Sequence, residues 1–163
     1  MATETLPIKK TESIFDEIEK VRDRIMRRAY EIFDLNGGSY GKELDDWLQA
    51  ERELLWKPSV ELREKDDEFL IEVAVPGIEA KDLNIQVTPE DVLVRGEMHH
   101  EHKEEKGKVH TCEFQSGSLF RTIHLPKKID PDKVKAEFKN GVLSLKAPIA
   151  EEQRAKKVKI EAA

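Results

Sequence analysis

Hydrophobic residues in this chain follow two different periods, and the change from one to the other divides it. From Ser13 onward, Ile14, Ile18, Val21, Ile25, Ala29 and Ile32 recur at three- and four-residue steps. That spacing places them on one face of an amphipathic helix, and Phe15, Met26 and Phe33 widen the stripe. Thr11 or Ser13 can cap its start, and Asn36-Gly37-Gly38 stops it. A second helix is predicted from about Lys42 to Leu55, with Leu44, Trp47, Leu48, Leu54 and Leu55 on one side. Glu51 interrupts that stripe, so a shallower burial is expected. Met1 to Lys10 shows no periodicity and is expected to be mobile.

Beyond Pro58 the period falls to two, the mark of half-buried strands. Val60 and Leu62 give a short strand, and Asp66-Asp67 turns the chain. Phe69, Ile71, Val73 and Val75 alternate with Leu70, Glu72 and Ala74 until Pro76-Gly77. Leu83, Ile85 and Val87 make the next strand, and Val92 to Val94 open another that fades after Gly96. Thr111 to Gln115 and Leu119 to Leu125 are expected to supply two more, the alternative being that Val109 to Glu113 continues a loop. Then Val134, Ala136 and Phe138 alternate with lysine and glutamate, and Leu143, Leu145 and Ala147 do the same with Ser144 and Lys146. Asn140-Gly141 between them is the strongest short hairpin signal, because both residues tolerate φ > 0. About eight short strands with Pro, Gly or Asp turns, and no alternation with helices, argue for a β-sandwich.

The wording of that hairpin, Phe138-Lys139-Asn140-Gly141-Val142-Leu143-Ser144-Leu145-Lys146-Ala147-Pro148, resembles the closing hairpin of the alpha-crystallin domain of small heat-shock proteins. Asn140, Gly141, Val142 and Leu143 carry the signature. Ala74-Val75-Pro76-Gly77 and Phe120-Arg121 leading to Leu125-Pro126 match two further landmarks in the same order. The resemblance implies an all-β immunoglobulin-like sandwich with an α-helical N-terminal arm and a flexible C-terminal tail. The divisions would be residues 1–56, 57–148 and 149–163. It further implies an ATP-independent holdase that binds partly unfolded proteins and keeps them from aggregating. The partners would be unfolded clients and other copies of the chain. Ile14, Phe15, Ile18, Ile25, Phe33 and Trp47 on the arm are the expected client contacts.

Assembly has its own expectations. Met98 to Lys108 is a long polar loop, and the resemblance implies a dimer in which such a loop lends a strand to the partner's sheet. Arg121 shares parity with Leu119, Ile123 and Leu125, so it either snorkels from an edge strand or needs an acidic partner. It falls on the family's arginine at the dimer contact, with Glu101, Glu104 and Glu105 as candidate partners. Near the C-terminus, Val158-Lys159-Ile160 puts two β-branched side chains on one side of an extended segment. It resembles the family's C-terminal anchor, which implies higher homo-oligomers. The expected acceptor is an apolar groove on a neighbouring copy, lined by Leu83, Ile85, Val87, Val134, Ala136 and Phe138. A tether counted from Pro148 would reach at most roughly 33–36 Å.

Composition narrows the classes. The 163 residues are 38% charged with a net charge of −6, and no basic stripe stands out, which argues against nucleic acid as a partner. Cys112 is the sole cysteine, so no intrachain disulfide can form, which fits a reducing compartment. The first residues lack a basic start followed by an apolar run, and no stretch is long and apolar enough for stable membrane insertion. A cytoplasmic location is expected. His99, His100, His102 and His110 lie near Cys112, but their spacing matches no strong metal motif, so a solvated loop is preferred and no metal is expected. Ser116-Gly117-Ser118 is not a nucleophile elbow, and Lys106-Gly107-Lys108 is not a phosphate loop. Neither catalysis nor a cofactor is expected. The rival reading is a co-chaperone-like sandwich that docks onto one folded partner.

Overall fold

The computed structural model describes residues 2–100, 107–114, 116–156 and 158. In chain order the elements are β1 (Glu4–Leu6), β2 (Ile8–Lys10), α1 (Phe15–Leu35), α2 (Glu43–Leu54), β3 (Leu55–Trp56), β4 (Val60–Lys65), β5 (Glu68–Ala74) and β6 (Leu83–Val87). They continue with β7 (Asp91–Met98), β8 (Gly117–His124), β9 (Lys135–Lys139) and β10 (Val142–Pro148). One sheet has the order β1-β9-β10-β5-β4, and the other β2-β6-β7-β8-β3. The alternating residues read from the sequence meet between the sheets. Phe69, Ile71, Val73, Val75, Ile85, Val87, Val92, Val94, Leu119, Leu143 and Leu145 form one buried cluster. Burying each such side chain stabilises the sandwich by about 1.5–3 kcal/mol before chain entropy is subtracted.

Turn chemistry sets the registers. Asn140 and Gly141 take φ of 52° and 74°, the positive pair that a two-residue hairpin requires, and Lys139 lies opposite Val142. Asp66 and Asp67 do the same at 52° and 60°, pairing Lys65 with Glu68. Helix α1 ends where expected, with Gly38 N–H donating to the Phe33 carbonyl at 2.9 Å. Its start is held by Ser13, whose hydroxyl accepts from Phe15 N–H at 3.1 Å.

Four expectations change. The segment expected to be mobile, Met1 to Lys10, carries two strands over residues 4–10: β1 pairs with β9 and β2 pairs with β6. Two three-residue strands are too short to show a period, and their pairing partners lie far away in sequence. The strand expected over Thr111 to Gln115 is not seen at Thr111 to Phe114: the described residues 107–114 are irregular, which is the loop alternative, and Gln115 lies outside the described residues. The stripe expected on α2 is only partly buried: Trp47, Leu54 and Leu55 pack inward, but the rest of it does not. Asp46 and Ala50 are buried, while Leu44 and Leu48 face solvent. The core also continues past Pro148, since Ile149 is buried and bridged to Ile129.

Gly141→Val is expected to destabilise the domain by about 1–3 kcal/mol, since a β-branched residue is strained at positive φ. The added atoms would also press on Pro76, whose Cα lies 3.4 Å from the ideal Cβ position. Thermal melting by circular dichroism checks this, and an unchanged midpoint refutes it.

Candidate functional site

The residues expected to form an anchor groove do come together. β6 and β9 lie on the same side of the sandwich, one in each sheet. Their inward residues Ile85, Val87 and Ala136 are buried, and Leu83, Val134 and Phe138 are half-buried against the same core. The groove between them is filled by the N-terminal segment. Leu6 lies opposite Ala136 in an antiparallel ladder, and Ile8 lies opposite Ile85 in a parallel one. Pro7 stands at the crossing, where it needs no amide partner. Leu6 is buried in the core and Ile8 packs on it. Thr11 N–H then donates to the Val87 carbonyl at 3.0 Å, and Lys10 pairs with Asp132.

The expected anchor is described only at Val158. Val158 is 82% exposed, and Ile160 lies outside the described residues. The chain leading to it is tied down further than its sequence suggests. Glu151–Gln153 forms a 3-10 turn, and Arg154 Nε donates to the Ile149 carbonyl at 2.9 Å. Counted from Arg154 to Val158, the free tether reaches roughly 13–14 Å rather than the longer span expected from Pro148.

A second surface lies on the outer face of the β6–β7–β8 layer. Leu93 has the opposite parity to Val92 and Val94, yet it is fully buried. Helix α1 runs along this face, and Ile14 is buried beside it. Arg95 holds the helix down: Nη1 pairs with Glu17, while Nη2 donates to Asn84 at 3.4 Å. Higher on the same helix, Arg24 donates to the Ser118 hydroxyl, which donates to Glu97 at 3.1 Å. Helix α2 folds back to bury Ile25 and Ile32 against Ala50, with Trp47 and Leu54 packed beside them. Arg28 bridges the helices at 2.6 Å from Glu53. Hydrogen bonds from Gln49 and then Arg28 hold the Glu53 carboxyl below its ordinary pKa. The arm residues expected to meet clients are therefore presented unequally. Phe15 is 73% exposed, Ile18, Phe33 and Trp47 are half-buried, and Ile14 and Ile25 are buried.

The opposite side of the sandwich carries β3 and β4. The outer edge of β4 has no neighbour among the described residues. β3 covers β8 only at Ser118 and Leu119, which leaves Arg121 beyond its end. Arg121 is half-buried beside Lys57, Trp47 and Phe120, and its Nε is shielded from solvent without a hydrogen-bond partner. It has no ion pair among the described residues, and Glu101, Glu104 and Glu105 lie outside them. His102 also lies outside; His99, His110 and Cys112 are exposed, and the His100 ring stacks on Phe114 at 4.5 Å. Among the described residues no three His, Cys, Asp or Glu side chains are placed to hold a metal. Nor is any described helix long and apolar enough to cross a membrane.

Comparison with known proteins fits this geometry. A profile described as Hsp20/alpha crystallin family matches residues 61–161, well over half of the chain. This chain belongs to the Hsp20/alpha crystallin family. Heat shock protein 16 of Schizosaccharomyces pombe is 31% identical over 121 residues, covering 73% of this chain and 82% of that protein. Spore protein SP21 of Stigmatella aurantiaca is 33% identical over 103 residues, covering 63% of this chain but only 61% of its own length. The solved structure of heat shock protein 16.0 from Schizosaccharomyces pombe superposes with a TM-score of 0.56 at 29% identity, covering 66% of this chain and 99% of that one. A separate profile, described as a protein of unknown function (DUF2934), matches residues 21–55, most of α1 and all of α2. The Hsp20 sandwich of this chain thus carries an arm that is recognisable in its own right.

Glu17→Ala is expected to cost about 1–3 kcal/mol, because it leaves the partly buried Arg95 without its carboxylate. Amide hydrogen exchange in α1 should speed up while the β9–β10 hairpin keeps its protection. Unchanged α1 protection would mean that Arg95 does not hold the arm.

Proposed function

We propose that this Hsp20-family chain is an ATP-independent holdase that binds partly unfolded proteins and prevents their aggregation. Family membership carries the reading, and the buried apolar surface under a polar-clamped arm supports it. The faces that would hold a client are covered in the single copy, so binding is linked to release of the arm. Ile14, Phe15, Ile18, Ile25, Phe33 and Trp47 are the client contacts in this reading, and all but Phe15 are shielded to some degree until the arm lifts. The mechanism involves no catalytic step and no cofactor, and the cytoplasm is its proposed location. Docking onto one folded partner, the rival reading, has no observation in its favour.

Assembly is part of the same proposal. The unpaired edge of β4 is a template for an added strand. The loop between β7 and β8 is the proposed donor, giving a dimer by strand exchange. Its Glu101, Glu104 and Glu105 would supply a carboxylate to the other copy's Arg121. Val158 and Ile160 would join dimers into larger assemblies by entering a neighbour's β6–β9 groove. Burying the two side chains is worth about 3–6 kcal/mol before the tail is ordered, so each contact is reversible.

The function is tested by light scattering of a heat-aggregating protein with and without this chain, in the absence of ATP. Suppressed scattering is expected; undiminished scattering at molar excess refutes the holdase reading. Val158→Ala with Ile160→Ala should shift large assemblies toward dimers in native mass spectrometry, with the circular dichroism spectrum unchanged. An unaltered size distribution would remove the tail from assembly. A shift to monomers instead would refute the strand-exchange dimer.

A further inference from the structure

The groove proposed to receive the tail already holds a segment of the same chemistry. Leu6 and Ile8 are separated by one residue, and both pack into the seam between β6 and β9. Val158 and Ile160 are separated by one residue too. The likeness extends further when the tail is read backwards. Ile160-Lys159-Val158-Lys157-Lys156 repeats the order apolar, spacer, apolar, lysine, lysine of Leu6-Pro7-Ile8-Lys9-Lys10. A segment entering with reversed direction still finds ladder partners, because an edge strand accepts either a parallel or an antiparallel neighbour. It would bring Lys156 to the place where Lys10 meets Asp132.

We infer that Leu6-Pro7-Ile8 is a built-in ligand of the β6–β9 groove, and that the groove takes either this strap or the C-terminal tail of a second copy, never both. The strap fills the positions opposite Ile85 and Ala136, so a tail can dock only after the strap has left. The measured affinity of the tail is then its intrinsic affinity reduced by the fraction of grooves that are open. Strap release exposes apolar residues of β6 and β9 and simultaneously creates a site for a neighbour. Assembly through the tail and opening of the N-terminus are thereby one equilibrium. The identity of the competitor rests on the tail docking described above; the strap's own occupancy does not.

The test uses the full chain carrying Val158→Ser and Ile160→Ser, so that its own tails cannot compete. One version keeps the strap, and the other adds Leu6→Ser and Ile8→Ser. Ile8→Ser alone serves if the pair disturbs the circular dichroism spectrum, since Ile8 is only half-buried. The probe is a fluorescently labelled synthetic peptide of residues 150–163, followed by anisotropy. Releasing the strap is expected to tighten the tail peptide at least tenfold. An unlabelled peptide of residues 2–12 should then displace it from the strap-released chain. Equal affinity for the two chains, or a strap peptide that fails to displace the tail peptide, overturns the inference while leaving tail docking intact. If the tail peptide binds neither chain and a labelled strap peptide still binds the released one, tail docking itself is refuted and the exchange with it.

Discussion

Two sheets packed face to face share a core that reaches solvent along the sides where their edge strands lie. On the β6–β9 side that core includes Ile85, Val87 and Ala136. Leaving such a seam uncovered exposes both apolar surface and unpaired backbone groups, which is the combination that drives edge-to-edge aggregation. A segment that alternates apolar, spacer, apolar solves both problems at once. Its two side chains fill the seam, and its backbone adds a strand to each sheet. Leu6-Pro7-Ile8 does this within one chain, and the remaining surfaces are organised around the side it closes.

The other side has no such strap among the described residues, and the contrast is chemical as well as geometric. β4 presents Glu61, Arg63, Glu64 and Lys65, charged residues that protect a free edge from indiscriminate pairing. Arg121 sits on this side with a shielded Nε and no ion pair among the described residues, while Glu51, which lines the same cavity, is paired with Lys57. A half-buried guanidinium of this kind is costly to leave unpaired.

Between the sandwich and the arm, β3 acts as a stitch. Leu55 and Trp56 are adjacent, so in a strand they point to opposite faces. Leu55 joins the cluster between the helices, and Trp56 packs on the core between the sheets. The arm lies on the outer face of β6 to β8 through polar clamps, Arg95 with Glu17 and Arg24 with Ser118, rather than through a continuous apolar interface. Polar clamps of this sort release at lower cost than a packed core does.

Local rules made much of this legible from residues alone. Period-two alternation placed the inner faces of β5, β6, β9 and β10, because a side that is buried must repeat every second residue. Positive φ at Asn140-Gly141 followed from the two residues that tolerate it. The groove residues Leu83, Ile85, Val87, Val134, Ala136 and Phe138 were identifiable because each belongs to such a strand. The occupant was not, since three residues cannot display a period and nothing local in Leu6 or Ile8 names Ala136 or Ile85 as a partner. The buried face of α2 escaped for a similar reason. Ala50 contributes little hydrophobicity, but its small side chain permits the close helix contact that buries it. Leu93 looked like one more outward strand residue, and only the tertiary structure shows it fully buried. The sequence by itself determined the alternating strands from β4 to β10, their turns and the family, all of which depend on neighbours within a few positions. Which segment closes the seam, and which faces the arm conceals, depend on pairings between residues far apart in the chain, and those the tertiary structure alone decided.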